Sequence, residues 1–156
     1  MRQGWDGGVS AYGLLFTLQG IGMALGSIAA GQTNPTTRRG PLIYTSFAAN
    51  SVLGTLQALS PWYAGAAALS VGKGFCISLA FTVFDTMLMQ RVPDRMLSRV
   101  ISVDYFGEVG LLPVGLGLWA ALSGLAGART LLAASSAVCA TLFLAGLADR
   151  RIRSVD

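Results

Sequence analysis

The sequence predicts an all-α membrane protein, a bundle of five transmembrane helices. Three observations carry this. Hydrophobic residues make up 53% of the 156 residues and charged residues 12%, about half the roughly 25% of a soluble domain. Long apolar runs are separated by short polar stretches. The scarce basic residues sit mostly in alternate loops. With a mean hydropathy of +0.61, the chain lacks the polar groups that a water-facing surface of this size needs. That argues against a soluble globular enzyme and a nucleic-acid binder, and the net charge of +4 reads as loop arginine rather than a nucleic-acid surface.

Residues 1–11 form a polar, glycine-rich stub that lacks the charged lead and cleavage site of a signal peptide. The first apolar segment, about Tyr12–Gly31, contains no charge. The second covers about Leu42–Ser60, and Pro61 then marks a tight turn. The third, about Trp62–Gln90, is long enough to span with tilt. The fourth covers about Val100–Leu125 and the fifth about Thr130–Leu147, leaving 148–156 as a tail. A segment in lipid must satisfy its own backbone, so each is expected to be helical. The short alternating strands of a membrane barrel are not seen.

Arg38 and Arg39 follow the first segment. Arg91, Arg95 and Arg99 follow the third, and Arg150, Arg151 and Arg153 lie in the tail. These fall on one side of a five-span topology. Arg2 and Arg129 fall on the other, and Lys73 lies within a span. The positive-inside rule then puts the C-terminus in the cytoplasm and the N-terminal stub outside. An outside N-terminus close to the first span leads to the expectation that one or more preceding spans are missing from this chain.

Gly22 and Gly26 form a GxxxG pair that Ala30 extends by one turn, a face suited to close helix packing. Gly107, Gly110, Gly115, Gly117 and Pro113 make the fourth segment a candidate for a kink. Cys76 and Cys139 lie in apolar runs and read as small buried hydrophobes. With no His and no paired Cys at ligand spacing, neither a metal site nor a cofactor is expected.

Four ionisable residues fall within the spans: Lys73, Asp85, Asp104 and Glu108. Such groups are costly in lipid and face a cavity or a partner. Counting at 1.5 Å per residue puts Lys73 roughly 16 Å from the outer edge and Glu108 roughly 12 Å from the inner edge of a core about 30 Å thick. A Lys73–Glu108 pair is one expectation; a purely structural pair or snorkelling is the bland alternative to a role in substrate or proton coupling, for which Lys73, Asp85, Asp104 and Glu108 are the candidates. Asp104 and Glu108 share a helix face. Asp85 and Asp104 fall near the arginine loop, where Arg91 or Arg99 can pair with them or where they simply set the loop. A carboxylate in low dielectric favours its protonated form and is suited to carrying a proton.

The most specific stretch is Gln90-Arg91-Val92-Pro93-Asp94-Arg95-Met96-Leu97-Ser98-Arg99-Val100. It resembles the loop between helices ten and eleven of major facilitator superfamily transporters, most closely the branch of the enterobactin and macrolide exporters. Gln90, Pro93, Asp94 and Arg99 match the pattern of that branch. Leu97 stands where the branch has Arg, and Ser98 where it has Gly. The run GIGMALGSIAAG in the first segment resembles helix eight, and LLPVGLGLWAALSGLAGAR in the fourth resembles helix eleven. The loop from Gly31 to Arg39 keeps the Gly and the basic end of the family motif but not its Asp-Arg.

The resemblance, from about Ala11 to Arg151, implies helices eight to twelve of a twelve-helix transporter in a bacterial inner membrane. It implies proton-coupled efflux of small amphiphilic molecules by alternating access around a midplane site, with the missing N-terminal half as partner. The competing expectation is a transport-incompetent remnant or a small membrane-embedded partner subunit. The reading frame upstream of Met1 discriminates the two. An intramembrane enzyme is not expected, since no Ser/His, His/Glu or paired-aspartate arrangement falls at a helical spacing; Asp85 and Asp104, on different helices at similar depth, leave an aspartyl dyad as the one open geometry.

Overall fold

The computed structural model describes residues 8–33 and 39–148, and all regular structure within them is helical. In chain order the helices are α1 (Gly8–Thr33), α2 (Arg39–Leu59), α3 (Tyr63–Arg91), α4 (Asp94–Gly110), α5 (Leu112–Ala126) and α6 (Ala128–Ala148). Arg2, Arg38, Arg150, Arg151 and Arg153 lie outside the described residues.

Two boundaries differ from the sequence expectation. The stretch read as a loop at 91–99 is almost all helix, because only Val92 and Pro93 separate α3 from α4. Val92 is extended, as a residue before proline prefers. The carbonyl of Pro93 then accepts the N–H groups of Met96 and Leu97 at 2.8 and 3.1 Å. Asp94 follows in the first turn, where its charge suits the helix N-terminus. The fourth segment, expected as one kinked helix from Val100, begins at Asp94 and is broken at Leu111. Pro113 explains the position of the break: it has no N–H to give the carbonyl four residues back. The end of α5 is set by Gly127, whose φ of +79° disfavours a side chain.

Four helical segments are long and apolar enough to cross a membrane: Ser10–Gln32, Tyr63–Arg91, Asp94–Ala126 across its break, and Thr130–Leu147. The second expected span, α2, is not among them. Its 21 residues include Thr45, Ser46, Asn50, Ser51, Thr55 and Gln57, which dilute its hydropathy.

Helix α3 is the centre of the bundle. It runs parallel to α1: Tyr63 donates from its hydroxyl to the Ala11 carbonyl at 2.9 Å, and the hydroxyls of Ser27 and Ser78 lie 2.7 Å apart near the other end. Between them, Gly22 and Gly26 lie directly on the α3 backbone. A Cβ at Gly22 would collide with the Val71 carbonyl oxygen, and one at Gly26 with that of Phe75. In return, a Cβ on Gly74 would meet the Gln19 carbonyl and sit 2.9 Å from the Met23 nitrogen.

Helix α2 runs antiparallel to α3 and to α6. Phe47 is the hub, edge-on to Phe81 of α3 at 5.6 Å and stacked on Phe143 of α6 at 5.1 Å. Helices α4 and α5 contain no buried residue and connect to the rest mainly through α5 against α6.

The polarity of this bundle is inverted relative to a water-soluble core. Its buried apolar residues are mostly alanine, and its buried polar residues are Ser46, Ser51, Gln57, Ser70 and Ser78. Large side chains such as Phe16, Leu25, Ile28, Phe106 and Leu125 point outward. Small residues inside let helices approach closely where no hydrophobic force drives association.

Candidate functional site

Two polar features lie among the apolar helices. The first joins α2, α3 and α6. The Ser70 hydroxyl donates to the Ala66 carbonyl at 3.0 Å. Gln57 donates through its amide nitrogen to Ser70 Oγ at 2.7 Å and, more weakly, to the Ala66 carbonyl at 3.4 Å. That commits the Gln57 amide and turns its oxygen to Lys73, whose ammonium donates to Oε1 at 3.0 Å. The four groups form one directed chain from ammonium to backbone carbonyl.

Gly54 opens the third side of this feature. A Cβ placed there would stand 2.9 Å from Ser136 Oγ of α6 and 3.9 Å from Lys73 Cε. The absence of a side chain at 54 therefore lets Ser136 and Lys73 converge. One turn back on α2, the side-chain oxygen Oδ1 of Asn50 is buried with no hydrogen-bond partner, an acceptor that requires a donor.

The second feature is a cleft of about 550 Å³. Phe47, Phe81 and Phe84 line one wall, and Val103, Asp104, Gly107 and Glu108 of α4 line the other. The i, i+4 spacing points both carboxylates the same way, and Gly107 keeps the wall between them low. The volume falls in the range of small-molecule sites, roughly 300–1,000 Å³.

The expected pairing of Lys73 with Glu108 is not formed; the amide of Gln57 takes the place of the carboxylate. Glu108 lies instead across the cleft from Phe81 and Phe84, which are about 12–16 Å farther along α3 than Lys73. The depth count assumed that α4 runs along the bundle, whereas α4 stands off it with every residue outside the core. Exchanging the charges, Lys73→Glu with Glu108→Lys, is therefore expected to correct neither single loss. Recovery of thermal stability in the double variant would put the two side chains in contact.

The other sequence candidates scatter. Asp85 is exposed on α3. Asp104 borders a shallow depression with Arg99, Val100 and Val103. Neither acid is in an ion pair with Arg91 or Arg99, because all four side chains point outward from helices that diverge after Pro93. Of the motif residues, Gln90 lies in the last turn of α3 and accepts from the Arg39 guanidinium, joining the two helix ends that carry the basic residues. Pro93 caps α4, Asp94 starts it and Arg99 lies in its second turn. Cys139 is exposed and Cys76 half-buried, so neither is the buried packing residue that the sequence suggested; α6 turns Cys139 away from α2.

Gln57, Ser70, Ser136 and Asn50 were missed by sequence reasoning directed at charge. A signal was present: Asn50, Gly54 and Gln57 recur at i, i+4, i+7, two amides flanking a glycine on a single face of α2.

Comparison with protein-family models, with curated proteins and with solved structures returns no match for this chain.

Proposed function

We propose that the chain is part of a proton-coupled permease that exports small amphiphilic molecules by alternating access, with the major-facilitator architecture its sequence resembles. The observation that carries this reading is the cleft, where an aromatic wall faces Asp104 and Glu108 across about 550 Å³. The aromatic wall suits the apolar body of an amphiphile. The two carboxylates supply groups that exchange protons as the cleft opens to water and closes.

Helix α4 supports a partner. It carries Asp94, Arg95, Arg99, Asp104 and Glu108 and buries none of its residues. A helix this polar cannot face lipid on all sides, so a second bundle, the other half of the transporter, covers its polar face in this reading. The ends of α2, α3 and α4 that carry Arg39, Arg91, Arg95 and Arg99 are cytoplasmic by the positive-inside rule, in a bacterial inner membrane.

The test is transport by the complete gene product in proteoliposomes, read with a fluorescent amphiphile. Accumulation is expected to follow an imposed proton gradient and to collapse when a protonophore dissipates it. Glu108→Gln is expected to remove the gradient-driven component. Equal accumulation with and without the gradient would overturn the coupling, and no accumulation above empty vesicles would overturn transport.

A further inference from the structure

We propose that Lys73, with the hydroxyl of Ser136, binds the carboxylate of an anionic amphiphile between α2, α3 and α6. The proposal goes beyond the permease reading, since this site lies apart from the cleft, about 12–16 Å along α3 from Phe81 and Phe84.

The argument starts from the directed chain of hydrogen bonds. Ser70 spends its proton on the Ala66 carbonyl, Gln57 spends its amide hydrogens on Ser70 and Ala66, and Gln57 Oε1 receives Lys73. One of the three ammonium donors is thereby occupied by a neutral acceptor. Among the described residues no carboxylate pairs with Lys73. The residue lies ten positions into α3, about 15 Å along its axis, at a depth where an ammonium without a counter-ion is expensive. Two donors of the cation therefore remain for an anion.

The neighbouring surface supplies the rest of a carboxylate site. Ser136 Oγ converges on the same Gly54 surface as Lys73 Cε, and its hydroxyl has no hydrogen-bond partner among the described residues. One carboxylate takes an ammonium donor on one oxygen and the hydroxyl on the other. The fixed Gln57 amide holds Lys73 so that it does not need to reorganise on binding. The buried apolar residues of the bundle are mostly alanine, so the rest of the ligand is apolar. A quaternary ammonium or other cationic headgroup is rejected by the same charge.

The test is equilibrium binding in neutral detergent, with the full chain and a dansyl-labelled undecanoic acid compared with its methyl ester. The wild-type chain is expected to bind the acid about tenfold or more tightly than the ester, as a charge-assisted hydrogen bond predicts. Lys73→Gln is expected to equalise the two ligands, Lys73→Arg to keep the preference and Ser136→Ala to reduce it. Equal binding of acid and ester by the wild-type chain would overturn the proposal, as would a preference that survives Lys73→Gln. Ester binding by each variant reports that it is folded. Binding is read without flux, so acid preference without proton-driven accumulation would overturn the permease and leave the carboxylate site standing.

Discussion

Gly22→Ala and Gly74→Ala are each expected to separate α1 from α3 and to cost about 3 kcal/mol or more, read as detergent-solubilised thermal unfolding followed by helical circular dichroism. The reason is geometric. Each added methyl meets a backbone carbonyl of the facing helix, and a backbone has no rotamer to change. Overpacking a close-fitted contact costs about 1–3 kcal/mol where side chains can shift, so a contact that cannot shift lies at or beyond the top of that range. Gly13→Ala and Gly20→Ala are the matched controls. Nothing lies within 4 Å of either Cβ position, and alanine is the better helix former, so these changes are expected to be neutral or slightly stabilising. Equal effects at all four positions would show that α1 and α3 are not held by this seam. The Ser27–Ser78 contact and the Tyr63–Ala11 hydrogen bond lie on the same interface, and both are expected to be lost with it.

Gln57→Leu is expected to destabilise the bundle by about 1–3 kcal/mol, the cost of leaving a polar group without its partner, and the double variant Gln57→Leu with Lys73→Met to recover most of it. Gln57 is 7% exposed, so the leucine fills space already shielded, and packing changes little. What changes is Lys73, which loses its only described acceptor. Ser70 keeps its own bond to Ala66 and is not left unsatisfied. Converting Lys73 to methionine removes the stranded charge, so the double-mutant cycle isolates their coupling. If the double variant unfolded earlier than Gln57→Leu alone, the ammonium would be contributing through contacts other than Gln57. The cycle is read in the absence of ligand, which keeps it independent of carboxylate binding.

Much of the fold was legible because long apolar helices announce themselves by length and composition. The boundaries of α1, α2, α3 and α6 fall within a few residues of the apolar runs, since each run must close its own backbone hydrogen bonds. The Gly22/Gly26 pair could be read as a packing face, but not which helix it meets; the parallel pairing with α3 comes from the three-dimensional arrangement. The Val92–Pro93 linker was harder to see. Arginine-rich polar sequence resembles a loop, and a helix beginning at Asp94 carries its charges where no sequence count separates it from one.

The candidate site was less legible. Charge drew attention to Lys73 and Glu108, and a depth count brought them together. Such a count fixes distance along a helix but not the tilt of the helix or the direction of a side chain. Gln57, a neutral residue, is the group that Lys73 meets. Asp104 and Glu108 could be put on one face from their spacing, yet nothing in that spacing identified Phe47, Phe81 and Phe84 as the opposite wall.

The sequence by itself determined that the described residues form long, mostly apolar helices and that most of the basic residues fall in alternate loops. Those properties follow from composition and from the backbone's need for hydrogen bonds, and they need no knowledge of neighbours. Only the tertiary structure decided which polar groups meet. It put alanine and serine inside and the large side chains outside, set α3 at the centre, gave Lys73 an amide in place of a carboxylate and left α4 standing away from the core. The reason is that a hydrogen bond is decided over about 3 Å, whereas periodicity locates a residue only by face and turn.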